Sequence, residues 1–286
     1  MAGLGVLGAV LVGCGGGAAE GPAHRTDAPV VSRSASAKAS AAAAGAKPAR
    51  VPTAPPTMAA GPGGLTPVYK RRAKGTEKVV ALTFDADMTA DQGPRAARGE
   101  RFDNPELIAT LRRLKVDATV FMTGRWAEEY PDQAKSIGGD PRFEIANHSY
   151  SHYSFASPCY GLPTVAGPDM ATDVQRAFDA FRDAGAVNVV PYFRFPGGCY
   201  DDAALRALAP TGVTAVQWDV VSGDAFAKDP GPVADQVVDE VKPGSLVVLH
   251  CTRSAAPVTE QAVRRIVPEL RARGYRFVKV SELMSR

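Results

Sequence analysis

The chain is poor in histidine, with four residues among 286, and equally poor in cysteine, also with four. It has no dense basic block. The formal charge is +3, and 33 Lys and Arg are spread along the chain against 30 Asp and Glu. The densest run, Lys70-Arg71-Arg72, sits at the edge of a linker and reads as solvated. A nucleic-acid arm is therefore excluded as a partner surface. A membrane-spanning helix is excluded at the start of the chain as well. Met1 to Val12 is apolar and glycine-rich but too short to cross a bilayer as a mature helix. The little histidine present is placed selectively: His24 lies in a low-complexity leader, whereas His148, His152 and His250 fall at the ends of predicted elements.

The chain divides by composition. Leu11-Val12-Gly13-Cys14 closes the apolar leader and resembles a bacterial lipobox, although the usual basic n-region is missing. The expectation is a leader over residues 1–14, a lipid on Cys14, and a protein outside the cytoplasm, lipid-anchored to the bacterial cell membrane. The plain alternative is a chance cysteine after an apolar stretch. Residues 15–66 are mainly Ala, Pro, Gly and Ser without apolar periodicity. They cannot bury enough surface to offset chain entropy and read as a disordered tether spanning roughly 40 Å. Residues 67–286 are long enough for one domain with a full core, expected to be a monomer.

Beyond Cys14 remain Cys159, Cys199 and Cys251. An exported protein can keep disulfides. Cys159 and Cys199 occupy similar loop contexts, Pro-Cys-Tyr-Gly and Gly-Gly-Cys-Tyr, and are the preferred pair. Cys251 abuts His250 and reads as a buried thiol. Sequence does not fix the pairing.

Short apolar runs alternate with helical patterns. Strands are expected at Val79–Phe84, Ala118–Met122, Phe143–Ala146, Val190–Phe193, Thr214–Gln217, Leu246–Leu249 and Arg276–Val280. Helices are expected at Pro105–Leu114, Glu128–Ile137, Met170–Asp183, Ala203–Leu208, Val233–Val241 and Thr259–Arg273. Asn104-Pro105 is a good helix start and Gly274 a good stop. The strands lack polar alternation, so both faces are buried. The fold class is α/β with a parallel sheet, and seven repeats suggest a barrel short of the usual eight. Asp85, His148, Arg194, Asp219, Asp224 and His250 then all follow strands. In barrel enzymes that end of the strands carries the chemistry.

His148 and His152 are four apart, and on a helical turn they would share one face about 5–6 Å apart. The glutamate of the zincin motif is absent between them, so a base must come from elsewhere. The plain alternative is two helix-face histidines in ordinary hydrogen bonds. Asp85 and Asp87 lie two apart at a strand end and point to the same side. Two histidines, a carboxylate and an open position form a catalytic zinc pattern, and also suit non-haem iron.

The ordered set Thr-Phe-Asp-x-Asp, His-Ser-x-x-His, Arg-Phe-Pro-Gly-Gly, Trp-Asp-x-x-Ser-Gly-Asp and Val-Leu-His resembles the polysaccharide deacetylases of carbohydrate esterase family 4. The resemblance runs from residue 78 to about 284. It implies an irregular (β/α)7 barrel and metal-dependent removal of acetyl groups from sugars. By position it implies Asp85 as catalytic base, and His148 and His152 as metal ligands. It makes Arg194 the tether of the base and His250 the general acid. Asp224 is the partner that tunes His250, with Asp219 as second choice. The family's adjacent aspartates are broken here: Ala86 stands at the metal-binding position, and Asp87 has to supply the third ligand. The family's tryptophan after the fourth-motif aspartate is replaced by Ala225-Phe226, with Phe226 as an alternative apolar wall.

The implied cofactor is one divalent ion, zinc foremost, with cobalt, nickel or manganese open. The expected substrate is an acetylated glycan of the cell envelope, with peptidoglycan favoured over chitin oligomers, exopolysaccharide or acetylxylan. The contrasting class is a non-catalytic wall-binding lipoprotein that keeps the fold. A glycosidase would need two protonatable carboxylates across a cleft, and here the acid position holds histidine. Iron oxygenase chemistry has no use for such an acid.

Overall fold

The computed structural model describes residues 54–73 and 75–285. The leader with Cys14, and residues 15–53 of the expected tether, lie outside the described residues. The strands are β1 (Val68–Tyr69), β2 (Val79–Ala86), β3 (Ala118–Met122), β4 (Phe143–Asn147), β5 (Val189–Phe193), β6 (Thr214–Val216), β7 (Val220–Val221), β8 (Ser245–His250) and β9 (Arg276–Phe277). The helices are α1 (Gly93–Ala97), α2 (Pro105–Arg113), α3 (Gly124–Glu129), α4 (Pro131–Gly138), α5 (Met170–Asp183), α6 (Asp202–Leu208), α7 (Pro230–Glu240), α8 (Thr259–Ala272) and α9 (Val280–Met284).

All strand pairings are parallel. They form one curled sheet in the order β1-β6-β5-β4-β3-β2-β8-β7, with β9 paired to the start of β2. β1 and β7 end the row, so the sheet is a curled half-barrel of the (β/α)7 type. Every residue of β2 is buried, as a strand covered on both faces requires. Val80, Leu82, Phe84 and Ala86 pack outward under α2, α7 and α8, in a core shared with Leu107, Val237 and Ile266. Val79 and Ala81 face the inside of the curl with Phe121, Tyr192, Val216 and Leu246. This alternation decides where the carboxylates at the end of β2 can go.

Most expected elements form within a few residues of their expected bounds, and two differ in kind. The helix Glu128–Ile137 is two helices, α3 and α4, broken at Tyr130 (φ −125°, ψ 57°). Pro131 opens α4, and a residue before proline is pushed out of the helical region. The last strand, expected over Arg276–Val280, stops at Phe277. Val280 begins α9 instead, and with Leu283 it fills the inner core. At the other terminus, residues 54–66 run against the body. Tyr192 Oη donates to the Pro56 carbonyl (2.8 Å), Met58 N to Thr214 Oγ1 (3.0 Å) and Thr66 N to the Leu205 carbonyl (3.1 Å). Among the described residues no helix is long and apolar enough to cross a membrane.

Candidate active site

The inward set of β2 continues past Ala81 and Thr83 to Asp85, so Asp85 and Asp87 share the inside of the curl. Ala86, wholly buried, belongs to the outer core. A carboxylate at position 86 would point into apolar packing; the next inward side chain is Asp87. The Asp87 amide donates to Thr252 Oγ1 (3.0 Å), and that hydroxyl returns a hydrogen bond to the Asp87 carboxylate. Burial pushes the Asp87 pKa up, but His152, His250 and the Thr252 hydroxyl overrule it and the net shift is downward.

His148 and His152 do not sit on a helical turn. They lie in the loop after β4, where Ser149 (φ 71°) and His152 (φ 56°) adopt left-handed backbone. The loop nevertheless brings the rings edge to face, with centroids 5.0 Å apart. Left-handed non-glycine residues persist where the surroundings over-determine them. Here Asn147 Oδ1 accepts from Ser149 N (2.8 Å), Asp173 Oδ1 from Tyr150 N (2.7 Å) and Ser149 Oγ from His152 N (2.9 Å). Asn147 Nδ2 in turn donates to the Val174 carbonyl of α5 (2.8 Å).

Arg194 follows β5 and is fully buried. Its Nη1 donates to Asp85 Oδ1 (2.6 Å) and its Nε to the Val216 carbonyl (3.2 Å), with the guanidinium stacked 3.8 Å from the Phe121 ring centroid. Its own carbonyl accepts a hydrogen bond from His148 Nδ1 (2.9 Å). One residue thus fixes the carboxylate with its side chain and the imidazole with its backbone. A carbonyl can only accept, so Nδ1 carries the proton and Nε2 is a bare lone pair. Burial draws the His148 pKa down to about 4, which leaves the ring neutral at pH 7. That lone pair faces Asp85 Oδ2 at 3.6 Å. The contact is two acceptors turned toward each other, not an ion pair.

On the other side of β2, Asp85 is in register with His250 at the end of β8. Asp224 accepts from His250 Nδ1 on Oδ1 (2.8 Å) and from His250 N on Oδ2 (2.7 Å). Ser222 Oγ (2.8 Å) and Thr259 Oγ1 (2.6 Å) donate to the same carboxylate. Burial opposes a charge on His250, but Asp224, with Asp87 and Asp85, more than reverses it and raises the pKa to about 9. Asp219, the second choice for this partner, is engaged elsewhere. It accepts from Leu246 N (2.7 Å) and Ser245 Oγ (2.9 Å), at the start of β8.

Cys159 and Cys199 are joined in a disulfide, and Cys251 is a buried thiol. The bridge lies against the turn Pro196–Gly198, where Gly197 has φ 64°. A Cβ on Gly197 would sit 2.7 Å from Cys159 Sγ, so the turn admits only glycine.

Asp87 and His152 open into a cleft of about 270 Å³ walled by Leu162, Phe226 and Thr252. His152 Nε2 lies 3.6 Å from Asp87 Oδ2, and burial lowers its pKa as well. Two neutral imidazoles and two carboxylates facing one space fit a divalent ion. Two donors each about 2.1 Å from a tetrahedral ion lie roughly 3.4 Å apart. Among the described residues, however, no three such side chains are drawn into a closed metal cage. The donor chemistry fits a metal better than the present spacing does.

Asn147, Asp173, Ser222, Thr252 and Thr259 also hold the site, and most of them carry no chemical signal in the sequence. Asp173 carried a signal. It lies at i+3 from Met170 and beside Val174 on the buried face of α5, where an acidic residue needs partners.

A curled parallel half-barrel with carboxylates and histidines gathered at the C-terminal ends of its strands defines a carbohydrate-esterase type of hydrolase. Residues 72–216 match the sequence model of the polysaccharide deacetylase family, and the chain belongs to that family. It is 30% identical over 211 residues to a peptidoglycan-N-acetylglucosamine deacetylase of Bacillus cereus, covering 73% of this chain and 89% of that one. It is 27% identical to a chitooligosaccharide deacetylase of Azorhizobium caulinodans, covering 66% and 89%. In fold it matches a solved peptidoglycan N-acetylglucosamine deacetylase with a TM-score of 0.64 at 22% identity, over 76% of this chain and 92% of that one. It also matches a family 4 pseudoenzyme from Bacillus anthracis, with a TM-score of 0.60 at 24% identity over 76% and 68%.

Proposed function

We propose that the protein is a metal-dependent deacetylase that removes acetyl groups from N-acetylated sugars of a cell-envelope polysaccharide, peptidoglycan first. We further propose that it works outside the cytoplasm, tethered by a lipid on Cys14. The observation that carries the catalytic reading is the pair of opposed environments on either side of β2. Arg194 holds Asp85 next to a bare imidazole nitrogen, and Asp224 holds a protonated His250.

Asp87, His148 and His152 would hold the ion. When bound, it supplies a Lewis acid that polarises the acetyl carbonyl and acidifies water. Arg194 occupies Asp85 Oδ1, which leaves Oδ2 free to take the proton of the attacking water. The backbone of the Pro196–Gly198 turn is the candidate for the oxyanion. His250 has Nδ1 engaged by Asp224, so Nε2 delivers the proton to the departing sugar nitrogen. A histidine with a pKa near 9 is charged at neutral pH and ready to act as an acid.

The test is acetate release from a panel of N- and O-acetylated glycans, with the protein stripped of metal and then supplied with zinc, cobalt, nickel or manganese. Metal-dependent release from N-acetylglucosamine polymers is expected. Glycan binding without release under every metal would replace the enzyme with a non-catalytic wall-binding protein. Cys14→Ala should move the full chain out of the membrane fraction, and membrane association that survives the change would remove the anchor from the proposal.

A further inference from the structure

Single exposed apolar side chains need no explanation, but exposed apolar surface gathered around a cleft marks a ligand-binding groove. Among the described residues only two aromatic rings are strongly exposed, Tyr160 (90%) and Phe226 (81%). Both sit on left-handed backbone, at φ 47° and 61°, a conformation that non-glycine residues keep only where the surroundings hold them in it. Phe226 lines the cleft of Asp87 and His152 from the β7 side. Its amide is held by the Ala255 carbonyl (2.6 Å).

Tyr160 stands on a loop built to hold it out. Residues 154–165 leave and return at one point. Ser154 N donates to the Pro163 carbonyl (2.8 Å) and Val165 N to the Ser154 carbonyl (2.9 Å). Phe155 anchors the base, packed against Phe193 and Phe195 with centroids 5.2 and 5.7 Å away. Cys159–Cys199 staples the far side to the Gly197 turn. The loop is therefore short, closed and cross-linked, with an unburied ring at its tip. A Cβ built on Gly197 would lie 3.4 Å from both Tyr160 Cδ2 and Leu162 Cδ1, so these side chains stand directly over the turn. Leu162 also lines the cleft that Phe226 lines.

We propose that the stapled loop 154–165, through Tyr160 and Leu162, and Phe226 form a binding subsite for a neighbouring sugar ring of the glycan chain. Pyranose rings present faces of C–H bonds that pack on aromatic rings, and a rigid platform loses little entropy on binding. The consequence is selection by chain length: the enzyme prefers an oligomer to a single acetylated sugar. This rests on the deacetylase reading above.

Metal-loaded full-length protein is assayed on N-acetylglucosamine monomer, dimer and tetramer, and tetramer binding is measured separately by calorimetry. In the parent, kcat/KM should rise with length. Tyr160→Ala and Phe226→Ala should each reduce the tetramer-to-monomer ratio by about tenfold, through KM rather than kcat. Tetramer affinity should fall by a similar factor. The Cys159→Ser/Cys199→Ser double variant should give an intermediate loss. Val187→Ala, an exposed apolar residue on the turn before β5, is the control that leaves the ratio alone. A length preference intact in Tyr160→Ala and Phe226→Ala, or tetramer affinity unchanged in both, overturns the subsite. Were no acetate released from any substrate, the deacetylase reading would fail while the calorimetry still decides the subsite.

Discussion

His148 and His250 both neighbour Asp85, yet their surroundings make them chemically opposite. His148 is 2% exposed and has a carbonyl on Nδ1, and burial pulls its pKa down to about 4. His250 is 24% exposed and has a carboxylate on Nδ1, and that charge overrides burial and carries it up to about 9. The ring is the same and burial opposes its charge in both places, so the atom behind it decides the sign. A carbonyl is too weak to offset burial and the ring stays a neutral donor suited to a metal, whereas a carboxylate offsets it and leaves a charged acid suited to a leaving group. The general lesson is that histidine's role is set by the partner of the nitrogen that faces away from the substrate.

The strongest way to break this comparison is to remove its working ends. His250→Ala and Asp85→Asn are each expected to lower turnover by about 10²–10⁴-fold with bound metal unchanged. Metal analysis alongside steady-state kinetics checks this, and full activity in either variant would strike that residue from the mechanism. Asp87→Ala is expected to abolish metal retention after dialysis while circular dichroism stays parental. Retention equal to the parent would return the ligand set to question.

A subtler change exchanges the partner behind His250. Asp224→Asn keeps the shape but removes the charge, so the alkaline limb of kcat/KM should move from about 9 toward the ordinary value near 6.5. An unmoved limb would show that some other group sets it. Behind the His148 loop, Asp173→Asn should weaken metal affinity several-fold and Asp173→Glu should restore part of it. Affinity unchanged in Asp173→Asn would leave that carboxylate a purely structural one.

The smallest effect is on stability, and its sign follows from the same pair. His148's folded pKa of about 4 lies below its unfolded value near 6.5. Between the two the unfolded chain binds the extra proton, and stability rises with pH. His250's value of about 9 lies above 6.5, so its contribution is complete below about 6.5 and is lost as pH rises through about 9. The pair alone therefore places the optimum of the metal-free protein near pH 6.5. Melting temperatures from pH 4 to 10 should peak there, and His250→Ala should flatten only the alkaline side. A flattened acid side in that variant would contradict the assignment.

Much of this was legible in the sequence, for identifiable reasons. α5 was read at its true bounds, Met170–Asp183, because its apolar residues keep helical period and it packs on one face. β2, β3, β4 and β8 were readable because strands buried on both faces stay apolar throughout. β1 and β7 have two residues each and leave no periodic trace. The spacing of His148 and His152 correctly suggested proximity but for the wrong reason. Four-residue spacing reads as a helix, and nothing local announces left-handed Ser149 and His152, which are held by the distant Asp173 as well as by near neighbours. The position of Asp87 was legible from strand alternation carried one residue past β2, which turns Ala86 into the outer core and Asp87 to the cleft.

One pairing in the sheet has a mechanical consequence. Asp85 and His250 are partners across β2 and β8, and Cys251 N, just past the pair, donates to the Asp85 carbonyl (2.7 Å). The backbones that carry the two protein groups that would move protons are thus held at the spacing of adjacent strands, about 4.7–4.9 Å. No hinge separates them, and no lid has to close to assemble them. Loops at this end of the sheet can be lengthened, stapled or redecorated while that spacing stays constant. In this fold, substrate choice could drift without recalibrating the proposed acid and base.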